Sequence, residues 1–114
     1  MTTPTPVTDI DPAAAVTETT AGRALLIDVR EDDEWAAGHH PDAIHMPLGG
    51  LDPANVPTDR PVITVCRSGG RSAKAAAKLA AAGRQVSNLT GGMTAVAAAG
   101  LPVVTTGGAP GTVL

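Results

Sequence analysis

The sequence contains almost no aromatic residues: among 114 residues there is no Phe, no Tyr and a single Trp. A core must therefore be filled by Val, Ile, Leu, Met and Ala, and small side chains bring backbones close together. The length suits one domain with a buried core. With 43% hydrophobic and 17% charged residues, the composition excludes disorder as the starting assumption.

Cysteine is equally scarce, since Cys66 is the only one. One thiol excludes an internal disulfide, so nothing in the sequence requires an oxidising compartment. Residues 1–6 lack the basic and apolar segments of a signal peptide. No apolar run approaches the roughly 20 residues of a membrane helix. We therefore expect a cytoplasmic protein with no membrane partner.

Positive charge is not in excess, because the formal net charge is -3. Without a basic stripe that neutralises phosphates, nucleic acid is not the expected partner. The segment from Cys66 to Arg71 is nevertheless locally positive. This predicts a small anion as the ligand.

Strand-like and helix-like segments alternate along the chain, which predicts an α/β fold built on a parallel sheet. Strand patterns occupy 7–10, 24–29, 43–46, 62–65 and 85–89, and helical patterns occupy 13–19, 31–37, 71–82 and 93–99. We expect a flexible leader over 1–6, one domain over 7–104, and a flexible tail over 105–114, where Gly, Thr and Pro dominate.

The segment around Cys66 carries the strongest chemical signal. The β-branched run Val62–Val65 ends at Cys66, and an alanine-rich helical pattern begins at Arg71. Open α/β sheets place ligands at the carboxyl ends of their strands. Glycines let such a loop turn its N–H groups inward, and the helix dipole and guanidinium groups favour a thiolate. We therefore interpret Cys66 as a nucleophile within an anion-binding loop, although an unreactive buried thiol is the simpler alternative. The proposed loop residues are Arg67, Ser68, Gly69, Gly70, Arg71 and Ser72.

This loop resembles the active-site loop of rhodaneses, the persulfide-forming sulfurtransferases. The family's catalytic cysteine opens a six-residue loop that arginine often closes, and Cys66 to Arg71 has that length. Three further segments match in the family's order, at 25–30, 35–48 and 89–93. The resemblance implies a small parallel sheet with helices on both faces. It also implies a Cys66 persulfide that takes sulfur from a donor such as thiosulfate and passes it to cyanide or a thiol.

The resemblance also suggests roles for other residues, and leaves several open. It implies that Asp28 and Arg30 support the fold, with Arg30 pairing with an acid such as Glu34. Arg71 is expected to hold the loop, and Arg67 either meets an anionic donor or is a solvated charge. The side-chain hydroxyl groups of Ser68 and Ser72 are expected to line the site. Alternatively, Ser72 only caps the helix. The transfer chemistry that the resemblance implies needs no metal and no organic cofactor. The spacing of His39, His40 and His45 also fits no tight zinc pattern.

Three other functions remain as alternatives. A phosphatase or arsenate reductase of related architecture has one more residue between cysteine and arginine, whereas Cys66 and Arg71 have four between them. A sulfur carrier or sensing module in a protein relay would need the same cysteine. A rhodanese domain that only binds would usually lack it.

Overall fold

The structure, a computed structural model, describes residues 6–114 and contains one five-stranded sheet. The strand order is β1-β5-β4-β2-β3 and each neighbouring pair is parallel. The strands are β1 (Thr8–Ile10), β2 (Leu25–Asp28), β3 (Ile44–His45), β4 (Val62–Val65) and β5 (Val86–Leu89), and the helices are α1 (Pro12–Thr20), α2 (Asp32–Ala37), α3 (Gly70–Ala81) and α4 (Gly92–Ala98). The predicted parallel α/β fold is confirmed. Of the predicted leader over 1–6, residues 1–5 lie outside the described part of the chain.

Helices cover both faces of the sheet because side chains alternate along each strand. On one face Leu25, Ile27 and Val62 pack in a core cluster with the buried residues of α3. On the other face Leu26 and Ile63 pack with residues of α1 and α4. Aliphatic side chains fill both clusters, as the lack of aromatic residues predicts.

Local signals explain where the helices begin and end. The Asp11 side chain accepts a hydrogen bond of 2.8 Å from the Ala14 N–H, and Pro12 follows it as the first residue of α1. Gly83, with φ of 85°, follows the end of α3 in the left-handed region. Every helix within residues 6–114 is too short or too polar to cross a lipid bilayer.

Residues 105–114, which we predicted to be a flexible tail, make backbone hydrogen bonds to the domain. The Thr112 N–H donates to the Ala37 carbonyl at 2.9 Å, and Val113 packs against the core. A Cβ on Gly38 would overlap the backbone of Thr112, so glycine permits this close approach. The tail therefore follows the domain surface, because its backbone finds hydrogen-bonding partners at the end of α2.

Candidate active site

Cys66 follows β4 at the carboxyl end of the sheet, between β5 and β2. Its side chain lies on the α3 face, and the residue is only 1% exposed. Gly69 has a φ of 117°, a left-handed conformation that favours glycine and turns the chain into α3. The strand, loop and helix predicted around Cys66 are therefore present, with the thiol on the inner side of the loop.

The loop directs hydrogen-bond donors at the sulfur. The Gly69 N–H donates to Cys66 Sγ at 3.1 Å, and the Ser72 hydroxyl lies 3.3 Å from it. Burial raises the pKa of Cys66, but hydrogen bonds from the Ser72 hydroxyl and from the N–H groups of Ser72, Gly69 and Ser68 outweigh it, so the pKa is lower than usual. Such a thiol holds more of the thiolate, which is the reactive form.

Two strand residues that the sequence analysis missed hold the loop in place. Thr64 and Asn88 are paired in register on β4 and β5. The Thr64 hydroxyl donates to the Ser72 carbonyl at 2.9 Å, and the Asn88 side-chain amide donates to the Gly69 carbonyl at 3.1 Å. Asn88 stands out in the sequence as a polar residue within a strand pattern. Its role can be inferred only when the register between β4 and β5 is known.

The start of α4 packs against the other side of the same loop. The Met93 N–H donates to the Cys66 carbonyl at 2.8 Å, and the Thr94 N–H donates to the Arg67 carbonyl at 3.0 Å. Gly92 has a φ of 62°, and a Cβ there would overlap the carbonyl groups of both loop residues. Glycine at this position therefore allows α4 to fix the loop backbone.

The two loop arginines differ in their surroundings. Arg71 donates hydrogen bonds of 2.6 and 2.8 Å to the carboxylate of Glu34, which ties α3 to α2. These bonds hold the pKa of Glu34 at about 2 and raise that of Arg71. Arg67 is exposed, and within residues 6–114 its side chain makes no hydrogen bond or ion pair. The geometry thus fits a holding role for Arg71 and leaves Arg67 free to contact a ligand.

Comparison with known proteins gives the family of this domain. The model of the rhodanese-like domain matches residues 11–99. The chain belongs to the rhodanese-like domain family. It is 43% identical over 83 residues to a protein named "Sulfurtransferase" from Allochromatium vinosum, covering 70% of this chain and 78% of that protein. It spans half or less of the length of two other relatives that are 40% identical.

Solved structures of rhodanese-like proteins share the fold. The crystal structure of a rhodanese-related protein from Thermoplasma volcanium has a TM-score of 0.79 at 26% identity, over 85% of this chain and 97% of that one. A rhodanese-like domain protein from Staphylococcus aureus has a TM-score of 0.69 at 30% identity, over 78% and 90% of the two chains.

Asp28 and Arg30 form a buried ion pair within this rhodanese-like domain. Both side chains are fully buried, and the Arg30 Nη2 lies 2.7 Å from Asp28 Oδ2 and also donates to the Gly38 carbonyl at 2.7 Å. Arg30 therefore pairs with an acid, as expected, but that acid is Asp28 and not Glu34, which bonds to Arg71 instead. The pair supports the segment that links β2, α2 and the turn after Gly38.

The three histidines have separate roles in the rhodanese-like domain. Trp35 stacks against His39, with ring centroids 3.6 Å apart, and against His45, at 4.7 Å. His40 is buried, which lowers its pKa, and its Nδ1 accepts a hydrogen bond from the Asp42 N–H. Among residues 6–114, no group of three or more His, Cys, Asp or Glu side chains is placed to hold a metal ion. The sequence analysis did not foresee the stacking of Trp35 between the two histidine rings.

Proposed function

We propose that this rhodanese-like domain is a sulfurtransferase that carries sulfane sulfur as a persulfide on Cys66. The observation that supports this most directly is the pair of donors, the Gly69 N–H and the Ser72 hydroxyl, that lie 3.1 and 3.3 Å from the only thiol of the chain. The name of the Allochromatium vinosum relative, "Sulfurtransferase", supports the same activity.

In the first step, the Cys66 thiolate attacks the outer sulfur of a donor such as thiosulfate. A sulfur–sulfur bond forms on Cys66 while the donor's sulfur–sulfur bond breaks, and its electron pair leaves on sulfite. The product is the anionic persulfide Cys66–S–S⁻. The donors that the loop directs at Cys66 Sγ lie one bond away from this charge and stabilise it, as donors do in an oxyanion hole.

In the second step, a thiolate or cyanide attacks the outer sulfur of the persulfide. The bond to Cys66 breaks, and its electron pair returns to Cys66 as the thiolate. The reaction is a two-step covalent transfer in which the side chain is regenerated. There is no second cysteine among these 114 residues, so a disulfide within the domain cannot release the sulfur.

Loop size supports sulfur over phosphate as the bound group. Cys66 and Arg71 have four residues between them, and α3 begins already at Gly70. A phosphate has four oxygens around its centre and needs a wider ring of donors than one added sulfur atom. The phosphatase alternative therefore lacks support from the loop.

Intact mass spectrometry tests the proposal. After incubation with thiosulfate we expect a gain of one sulfur atom, and after cyanide we expect its loss together with formation of thiocyanate. Cys66→Ser, which removes only the nucleophile, must show no gain while keeping its circular dichroism spectrum. A gain that cyanide cannot remove would indicate oxidation to sulfinic acid and would contradict a persulfide. No gain with thiosulfate or with a low-molecular-weight persulfide would contradict the proposal.

A further inference from the structure

Acidic and basic residues are concentrated in different parts of this sequence. All eleven acidic residues lie within residues 1–59, whereas six of the eight basic residues lie between 60 and 84. Four of those six belong to the candidate loop or to α3, namely Arg67, Arg71, Lys74 and Lys78. Positive charge is therefore concentrated beside Cys66 in a chain whose net charge is -3.

Three of these four cations lie on α3, and the helix places them in one row. Arg71, Lys74 and Lys78 are spaced at i, i+3 and i+7, so they share one side of α3. Both lysines are exposed, and the opposite side of the helix is buried against the sheet. With 1.5 Å of rise per residue, the row extends about 10 Å from the start of the helix.

Most other basic side chains form ion pairs or hydrogen bonds within the molecule. Arg23 pairs with Glu18, Arg60 lies 3.3 Å from Asp59, and the guanidinium of Arg84 bonds to backbone carbonyls. Lys74 and Lys78, by contrast, have no acidic partner within 4.0 Å in the part of the chain that the structure describes. Their charges are therefore available to a ligand outside the molecule.

The exposed residues beside the two lysines on α3 are small. Ala73, Ala77 and Ala81 are the exposed residues that alternate with them along α3. Apart from the cations themselves, the exposed side chains on this side of α3 are methyl groups, which allow the backbone of a partner to approach closely. We call Arg67, Lys74 and Lys78, with these three alanines, the α3 basic face.

We propose that the α3 basic face docks an acidic segment of the protein that exchanges sulfur with Cys66. This inference rests on the proposed function and adds the class of partner. An ion the size of thiosulfate that touches Cys66 cannot also reach Lys78, which lies about two helical turns into α3. An extended anionic chain reaches both, and it brings its own thiol to the loop.

The surrounding charge favours an acidic peptide over nucleic acid. The exposed acids Glu31, Asp32 and Asp33 lie on or next to α2, which the Glu34–Arg71 pair holds against the start of α3. A polyphosphate that continues past the loop would meet these carboxylates, whereas a segment with acids beside the two lysines and a thiol at the loop would carry its negative charge only along α3. Charge complementarity of this kind accelerates association and selects partners.

Binding of synthetic peptides tests the inference independently of sulfur chemistry. The probe is a fluorescently labelled peptide in which serine stands in place of cysteine between glutamates, and a second peptide has glutamine in place of each glutamate. We expect fluorescence anisotropy to show binding of the glutamate peptide only, weakening as salt is added. Lys74→Gln and Lys78→Gln should each weaken it about two- to fivefold, the range of one partly solvated ion pair. Arg23→Gln, which removes the same charge elsewhere, should leave it unchanged.

Sulfur transfer to the corresponding cysteine peptides provides the functional readout. Starting from protein with persulfide on Cys66, the glutamate peptide should accept sulfur faster than the glutamine peptide, and the two lysine variants should reduce this ratio while loading from thiosulfate as before. Equal rates for both peptides would overturn the inference and leave the proposed function intact. Failure to form any persulfide would overturn the proposed function, while the anisotropy result would still decide the docking surface.

Three other outcomes would also overturn the inference. One is equal binding of the glutamate peptide by the wild-type protein and both lysine variants. Another is binding of single-stranded DNA of the same charge with at least the same affinity, which would indicate a general polyanion surface. The third is self-association in sedimentation velocity that is lost in both lysine variants, which would identify a second copy of this chain as the occupant.

Discussion

Arg71 and Glu34 join the two helices that flank the loop, through hydrogen bonds of 2.6 and 2.8 Å to the two carboxylate oxygens. Glu34 also accepts the Glu31 N–H at 3.1 Å, so one carboxylate both caps α2 and anchors the start of α3. The side chain of Glu34 is 14% exposed and that of Arg71 is 36% exposed. The pair is therefore partly shielded from solvent and sets the position of α3, the helix that follows the Cys66 loop.

We predict that Glu34→Gln lowers the free energy of unfolding by about 1 kcal/mol at neutral pH, because it removes the charge of a partly exposed pair. The pairing lowers the pKa of Glu34 from 4.5 to about 2 in the folded protein. Its contribution is thus complete above the unfolded pKa and is lost as the pH falls from about 4.5 toward 2. In urea unfolding, the difference between wild type and variant should shrink over that range. Asp33→Asn, in the same helix turn, is the control and should show no comparable difference at neutral pH.

The Ser72 hydroxyl lies 3.3 Å from Cys66 Sγ and is the first of the groups that lower the pKa of the thiol. We predict that Ser72→Ala raises this pKa, so that alkylation by iodoacetamide reaches half its maximal rate at a higher pH. Ser68→Ala retains the backbone N–H and is expected to follow the wild-type curve. A Ser72→Ala curve that coincides with wild type would show that backbone donors alone stabilise the thiolate. Since the chain has one cysteine and no Tyr, ultraviolet absorbance of the thiolate gives a second reading.

The strand, loop and helix around Cys66 could be predicted because their signals are local. A β-branched run, two glycines and an alanine-rich helix lie within residues 62–82, and each segment adopts its own preferred conformation. The contacts of Asn88 and Gly92 with the loop were not predictable in this way. They depend on the parallel register of β5 and on the docking of α4, which sequence spacing does not specify.

The partner of Arg30 and the backbone contacts of residues 105–114 could not be predicted from the sequence either. The resemblance suggested an acid such as Glu34 as the partner of Arg30, but the end of β2 buries Arg30 with Asp28, two residues away. Residues 105–114 have the composition of a loop, and what holds them is backbone hydrogen bonding to Ala37 rather than side-chain pattern. The composition of a segment predicts how much apolar surface the segment buries, but it does not predict which backbone hydrogen bonds the segment makes.

Gly92 allows α4 to approach the loop, and we predict that Gly92→Ala destabilises the protein strongly. The new Cβ would overlap the carbonyl groups of Cys66 and Arg67, and the φ of 62° disfavours any L side chain. We expect a loss of about 2 kcal/mol or more in the free energy of unfolding, together with slower persulfide loading. Gly49→Ala is the matched control, since a Cβ added there would have no neighbouring atom within 4 Å, and it should change stability by less than about 0.5 kcal/mol. Equal losses in both variants would contradict this role for Gly92.

The last prediction concerns the buried pair of Asp28 and Arg30, whose side chains are both 0% exposed. Asp28→Asn leaves the guanidinium of Arg30 buried without a counter-charge, and we expect it to cost about 3–5 kcal/mol in the free energy of unfolding. The double variant Asp28→Asn, Arg30→Met removes both charges, so it should be more stable than Asp28→Asn alone. Glu18→Gln, in the exposed pair with Arg23, should leave the urea midpoint unchanged. If the double variant were instead the less stable of the two, the bond from Arg30 to the Gly38 carbonyl would outweigh the charge of Asp28, and Arg30 would stabilise the fold mainly by holding the turn after α2.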